Sequence, residues 1–113
     1  MTGEQLPSPN PIAALNDEFR CNRPADTWLV TPGIRALPNL PGLVQAVRDF
    51  NNFNPDNDPW GEHNMGSIVW YQEKAWWKIK YYDQQLQDWC DPLSPECRRV
   101  LTLLLAEEYP TAR

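Results

Sequence analysis

The sequence predicts an α+β fold: a small antiparallel sheet of about three strands, with about three helices packed mainly on one face. Three observations carry the prediction. Apolar residues recur at three and four in the segments opening near Ile12, Leu43 and Cys97, two runs at 67–72 and 75–83 look like the strands of a hairpin, and proline and glycine punctuate the joins. The twelve prolines each fix φ and lack an N–H, which implies short elements and stiff connections. At 113 residues the chain is read as one domain over 11–110, preceded by a polar, proline-containing tail at 1–10 expected to be mobile.

The first helix is expected from Pro11, which suits a first-turn position, with Ile12, Leu15 and Phe19 on one face and a stop before Pro24. Residues 26–31, DTWLVT, favour a strand that the Pro32-Gly33 pair ends. Leu43, Val44, Val47 and Phe50 mark a second helix behind Pro41-Gly42, with Gln45, Arg48 and Asp49 facing out. Residues 51–64 are rich in asparagine and lack periodicity, which reads as a long loop. Phe53 and Trp60 predict that this loop packs down on the body.

A hairpin follows over 67–72 and 75–83, its turn expected near Glu73-Lys74. In the second strand Trp77, Ile79 and Tyr81 form the core side, while Trp76, Lys78, Lys80 and Tyr82 share the other. Ser94-Pro95-Glu96 reads as the start of a last helix. Its apolar positions Cys97, Val100, Leu101, Leu104 and Leu105 would form the spine of the core, and Pro110 would end it.

The net charge of −5 disfavours direct binding of nucleic acid by phosphate neutralisation, which needs a basic face. Two runs carry acid without a Lys or Arg: Asp49, Asp56, Asp58, Glu62 and Glu73 between Arg48 and Lys74, then Asp83, Asp88, Asp91 and Glu96. Such runs form a solvated face or a surface that docks on a basic partner. No apolar leader follows Met1 and no stretch approaches a membrane span. With only Cys21, Cys90 and Cys97, the chain is expected in a reducing cytoplasm with free thiols.

The stretch DNDPWGEHNMG, residues 56–66, sets Asp56, Asp58 and Glu62 round His63, the one histidine. No metal and no cofactor is assigned: Cys90 and Cys97 lack zinc spacing, and the acids lack the calcium-loop pattern. Nor does a Gly-x-Ser-x-Gly or a glycine-rich phosphate loop identify catalytic residues. The leading reading is a turn over 57–61 whose Asx side chains bond the backbone, with Gly61 at positive φ and Glu62 and His63 pinning the loop to the sheet. The alternative is a small metal-dependent or acid/base hydrolase using Asp58, Glu62, His63 and Asp83. Trp76 and Tyr82, interleaved with Lys78 and Lys80, form an interface-type patch or a platform for single strands, the second weakened by the acidic remainder.

Five blocks in order, LNDEFR, VTPGI, NDPWGEHNMG, WKIKYYD and RVLTLLLAEEY, resemble the motifs of a family of small bacterial and phage proteins called domain of unknown function 3768. The resemblance runs from about Ile12 to Tyr109. It implies no activity. The family pattern is approximately NDPYGEHDFG and WKIDYYD, so Asn64 and Lys80 stand here where the resemblance has Asp, while Asp58, Glu62, His63 and Asp83 match it. A cation or acid–base site would be impaired by those two departures; a structural clamp would tolerate them. The expected function is a non-enzymatic interaction protein of a phage or mobile element that inhibits a host defence system, in the manner of an anti-CRISPR or a nucleic-acid mimic. Its partner would be a basic host protein such as a nucleic-acid-binding effector complex, met through Asp56, Asp58, Trp60, Glu62, Trp76, Tyr82 and Asp88.

Overall fold

The computed structural model describes residues 10–108. The expected tail therefore lies, but for Asn10, outside the described residues. Helix α1 (Pro11–Asn22) starts where the Asn10 side chain accepts from Ile12 N at 2.8 Å and Pro11 enters the first turn. A 3₁₀ turn, Ala25–Thr27, then leads to β1 (Leu29–Val30), so only two residues of the strand expected over 26–31 pair. Helix α2 (Pro32–Arg35) is a single turn capped by Thr31, and α3 (Leu40–Asp49) begins behind Asn39, whose Oδ1 accepts from Gly42 N. After the loop come β2 (Met65–Trp70), β3 (Glu73–Tyr82) and β4 (Arg98–Leu105).

The α+β class holds, with three helices and a four-stranded mixed sheet in the order β1-β4-β3-β2 among the described residues. β3 runs antiparallel to both β2 and β4, while β1 lies parallel to β4. The largest correction concerns the C-terminal segment: residues 98–105 form strand β4 rather than the expected helix. β4 is an inner strand, and both its faces carry apolar side chains. Leu101, Leu103 and Leu105 enter the core, while Val100, Thr102 and Leu104 line the opposite face. A strand apolar on both faces loses its alternation and becomes a run that helix and strand share. Ser94 caps only a turn before the strand, with Oγ accepting from Glu96 N at 3.0 Å.

The hairpin turn falls two residues earlier than expected, because Trp70 pairs with Glu73 and leaves Tyr71 and Gln72 as the connection. Both have positive φ, 49° and 70°, the type I′ arrangement that favours Asn-Gly. Tyr71→Asn with Gln72→Gly should raise unfolding stability by about 1 kcal/mol, the relief of left-handed strain set against the lost Trp70–Tyr71 edge contact. Urea denaturation of the double variant measures it.

The core lies between the helices and one face of the sheet. Trp77, Ile79, Tyr81, Leu101 and Leu103 from the sheet meet Ile34, Leu43 and Val47 from α2 and α3, with Ile12 and Phe19 of α1 against them. The expected core side of β3 is the observed one. Trp77 is fully buried, and Gly66 opposite it has no room for a side chain: a Cβ would stand 2.7 Å from Trp77 Nε1 and 2.8 Å from Phe50 Cζ. That close approach brings the loop after α3 against β2. The three cysteines are free thiols, and among the described residues no helix is long and apolar enough to cross a membrane.

Candidate functional site

The loop between α3 and β2 is held by its own asparagines. Asn54 Oδ1 accepts from Asp56 N at 2.8 Å and Asn57 N at 3.1 Å, and Asn57 returns bonds to Asn54 N and Asn52 O. Asp58 N donates to Asn54 O, Gly61 N to Asp58 O, and Gly61 takes φ of 64°, as the turn reading requires. Asn10 reaches across to donate to Trp60 O at 3.0 Å. The loop is built as a rigid unit.

Its anchor is Asp58, only 8% exposed. The carboxylate accepts from Glu62 N at 3.0 Å and from His63 N at 3.2 Å, capping the last turn of the loop. His63 has φ of 55°, a left-handed backbone that histidine tolerates better than branched residues. Its ring stacks on Phe53 at 4.0 Å with planes 5° apart, and Nδ1 stands 3.0 Å from both oxygens of Asp17 in α1. A carboxylate only accepts, so Nδ1 carries the proton. Nε2 then faces Asp58 Oδ2 at 3.8 Å, beyond hydrogen-bond reach.

Behind this pair lies Arg20, 2% exposed. Its Nη1 donates to Val47 O at 2.7 Å, Arg48 O at 3.0 Å and Phe50 O at 3.1 Å, carbonyls at the C-terminal end of α3, the first of which also accepts from Phe50 N. Arg48 repays the favour to α1, donating to Arg20 O, Cys21 O and Arg23 O. Each helix is thus C-capped by the other's arginine. The Arg20 guanidinium also lies 4.8 Å from the Trp77 ring centroid and 3.3 Å from Asp17 Oδ1.

A second network joins the loop to the sheet. Asn16, fully buried, donates to Glu62 O and Tyr81 Oη, both at 2.9 Å, and accepts from Arg99 Nε at 2.6 Å. Tyr81 in turn donates to Glu62 Oε1 at 2.9 Å. Burial pushes the Tyr81 hydroxyl from 10.0 up to about 12, with the Glu62 carboxylate adding to the rise against the lowering effect of Asn16. The folded chain keeps this proton where the unfolded chain loses it. Stability from this source is therefore fully present below pH 10 and lost as pH rises toward 12. Tyr81→Phe should flatten the fall in thermal midpoint over that window, measured by calorimetry in alkaline buffers.

Asp58, Glu62 and His63 come together, as their closeness in sequence suggests. Asp83 does not join them: its Oδ1 accepts from Gln85 N and Gln87 N, and those backbone donors, Gln87 first, hold its carboxyl below the usual range. Asp56 is exposed at the turn, and Asp88 is exposed in the connection between β3 and β4. Trp60, expected to pack down, instead stands 80% exposed, because its backbone rather than its ring is tied to Asn10. Trp76 and Tyr82 lie on the sheet face away from the helices and are half-buried. Asn64 donates to Glu62 Oε1 at 3.4 Å, whereas Lys80 belongs to the opposite face of β3. The two departures from the family pattern thus bear on different surfaces.

Sequence reasoning missed Asn16, Asp17, Arg20 and Arg99. Asn16 and Arg20 carried a signal, since they follow Ile12 at helical spacing on the inward face, where polar residues need buried partners. Chemically, the arrangement pairs the His63 ring with Asp17, commits Asp58 to backbone donors and commits Glu62 to the Tyr81 hydroxyl and the Asn64 amide. Among the described residues no hydroxyl or thiol is hydrogen-bonded to His63; Cys21 donates its thiol to Arg48 O at 3.3 Å. No group of three or more His, Cys, Asp or Glu among the described residues is placed to hold a metal ion.

The family model described as "Protein of unknown function (DUF3768)" matches residues 30–108. No curated protein and no solved structure matches the chain.

Proposed function

This chain belongs to the DUF3768 family of proteins of unknown function, and we propose that it is a non-enzymatic binding protein that docks on a basic partner through the loop at 52–61. The observation that carries the reading is the contrast within that loop: a backbone locked by side-chain bonds presents Trp60 at 80% exposure. Exposed tryptophans on preordered loops are the kind of anchor that concentrates binding energy, because little entropy is lost when the partner closes over the ring. Asp56 beside it and the net charge of −5 favour a cationic partner. Asp58 and Glu62 support the loop from inside rather than meeting the partner. The concrete form of the reading is a phage or mobile-element inhibitor that seats this loop in the basic channel of a host defence complex; its support is the charge and the exposed anchor.

The hydrolase reading has less support, since Asp58 is committed to backbone donors, Glu62 to Tyr81, and Asp83 to its own loop. Trp60→Ala should leave the thermal midpoint within about 2–4 °C, as surface truncations do, yet weaken binding of a captured host partner by more than about tenfold. Titration calorimetry with the isolated partner checks both the loss and the weakening in salt expected of Asp56. Unchanged affinity of Trp60→Ala would overturn the proposal.

A further inference from the structure

The sheet has a second surface that the loop does not reach. All three lysines of the chain, Lys74, Lys78 and Lys80, project from the same face of β3. The register adds Arg98 beside Tyr82, Val100, Thr102 and Leu104 from β4, Met65, Ser67 and Val69 from β2, and Leu29 from β1. None of these strand positions is acidic, in a chain of net charge −5. The helices pack on the other face. Between the lysines and β1 runs a groove of about 360 Å³ floored by Leu29, Val100 and Leu104 and flanked by Leu86, Lys78 and Lys80. Leu29 is 57% exposed and Leu86 46%, so apolar surface and positive charge are offered together.

We propose that this face is a second docking surface, and that its occupant is an acidic segment of a protein partner carrying leucine-type side chains. Charge complementarity selects the acid, and the aliphatic floor selects the side chains between the acids. Lys78 and Lys80 stand two residues apart on one strand, about 6.7 Å, the spacing at which an extended segment repeats side chains on one face. A single-stranded nucleic acid fits less well. Its bases need successive rings, whereas Trp76 and Tyr82 are six residues apart, about 20 Å along the strand, with Lys78 and Lys80 but no ring between them on that face, and Lys74 lies over the Trp76 ring at 5.1 Å. The overall charge of −5 also opposes a polyanion more than a short acidic peptide.

The test uses the full chain and fluorescein-labelled probes: a peptide of alternating leucine and glutamate, its counterpart of leucine and lysine, and oligothymidylate. Anisotropy should show the glutamate peptide binding and the lysine peptide failing to bind. Lys78→Glu with Lys80→Glu should weaken the complex more than about tenfold, added salt should weaken it further, and Trp60→Ala should leave it unchanged. Circular dichroism confirms the fold of the double variant; if charge reversal unfolds it, Lys78→Gln with Lys80→Gln carries the test and should weaken binding in the same direction. Absent binding of the glutamate peptide, equal binding of the lysine peptide, or tighter binding of oligothymidylate overturns the proposal, the last reassigning the face to nucleic acid. Sedimentation showing a wild-type dimer that the lysine substitutions dissolve would assign the face to a second copy, and would equally overturn it.

Discussion

Replacing Arg20 with Ala is expected to lower unfolding stability by about 3–5 kcal/mol, a large share of what a domain of this size possesses. The side chain is 2% exposed and reaches three carbonyls at the end of α3, one carboxylate oxygen of Asp17, and the face of Trp77. Truncation removes the side-chain donor from all three carbonyls, of which Val47 O keeps only Phe50 N, and leaves Asp17 without its guanidinium and a cavity above Trp77. Arg20→Lys should recover little, because a single ammonium cannot span several acceptors in the guanidinium's planar fork and stack on the indole. Urea unfolding of both variants reads the difference. A loss under about 1 kcal/mol for Arg20→Ala would mean that α1 and α3 are held together chiefly by apolar packing.

The second large effect is expected at Asp58. Its carboxylate is buried and accepts from two consecutive amides, and a hydrogen bond to a charged group is worth about 1.5–3 kcal/mol. Asp58→Ala should cost roughly 2–4 kcal/mol, leaving the Glu62 and His63 amides unpaired beneath the loop. Asp58→Asn keeps one acceptor of nearly the same shape and should cost about half as much. Removal of His63 acts differently, through the Phe53 stack and the Asp17 bond, and is spared the burial of an orphaned charge because Asp17 is partly exposed.

These two residues mark the limits of what the sequence discloses. The faces of α3 and β3 could be read because each buries one side and exposes the other, so its period survives in the residue pattern, whereas α1 was read only in part: Leu15, expected on its inner face, is exposed, and Asn16 and Arg20 are buried. β4 could not, because an inner strand with Leu101 and Leu103 on one side and Val100 and Leu104 on the other has no alternation left. The hairpin turn was displaced for want of its usual signal, since Tyr71 and Gln72 adopt a conformation that Asn and Gly announce. Within the site, Asp58, Glu62 and His63 are sequence neighbours and declare themselves. Asn16, Asp17 and Arg99 do not, because the bonds joining them to the loop and to one another span 46 to 83 residues. What looked from the sequence like acids gathered round a histidine is a turn held from within, Asp58 accepting from backbone amides and Glu62 from the Tyr81 hydroxyl, its outward product the exposed Trp60.

Amide hydrogen exchange at Glu62 and His63 tests the clamp most directly. The account predicts slow exchange at both amides in the wild type, near-loop rates in Asp58→Ala under conditions where the sheet amides stay protected, and a parallel loss of the binding anchored by Trp60. Fast exchange at these amides in the wild type, or exchange and binding that Asp58→Ala leaves unchanged, would contradict it.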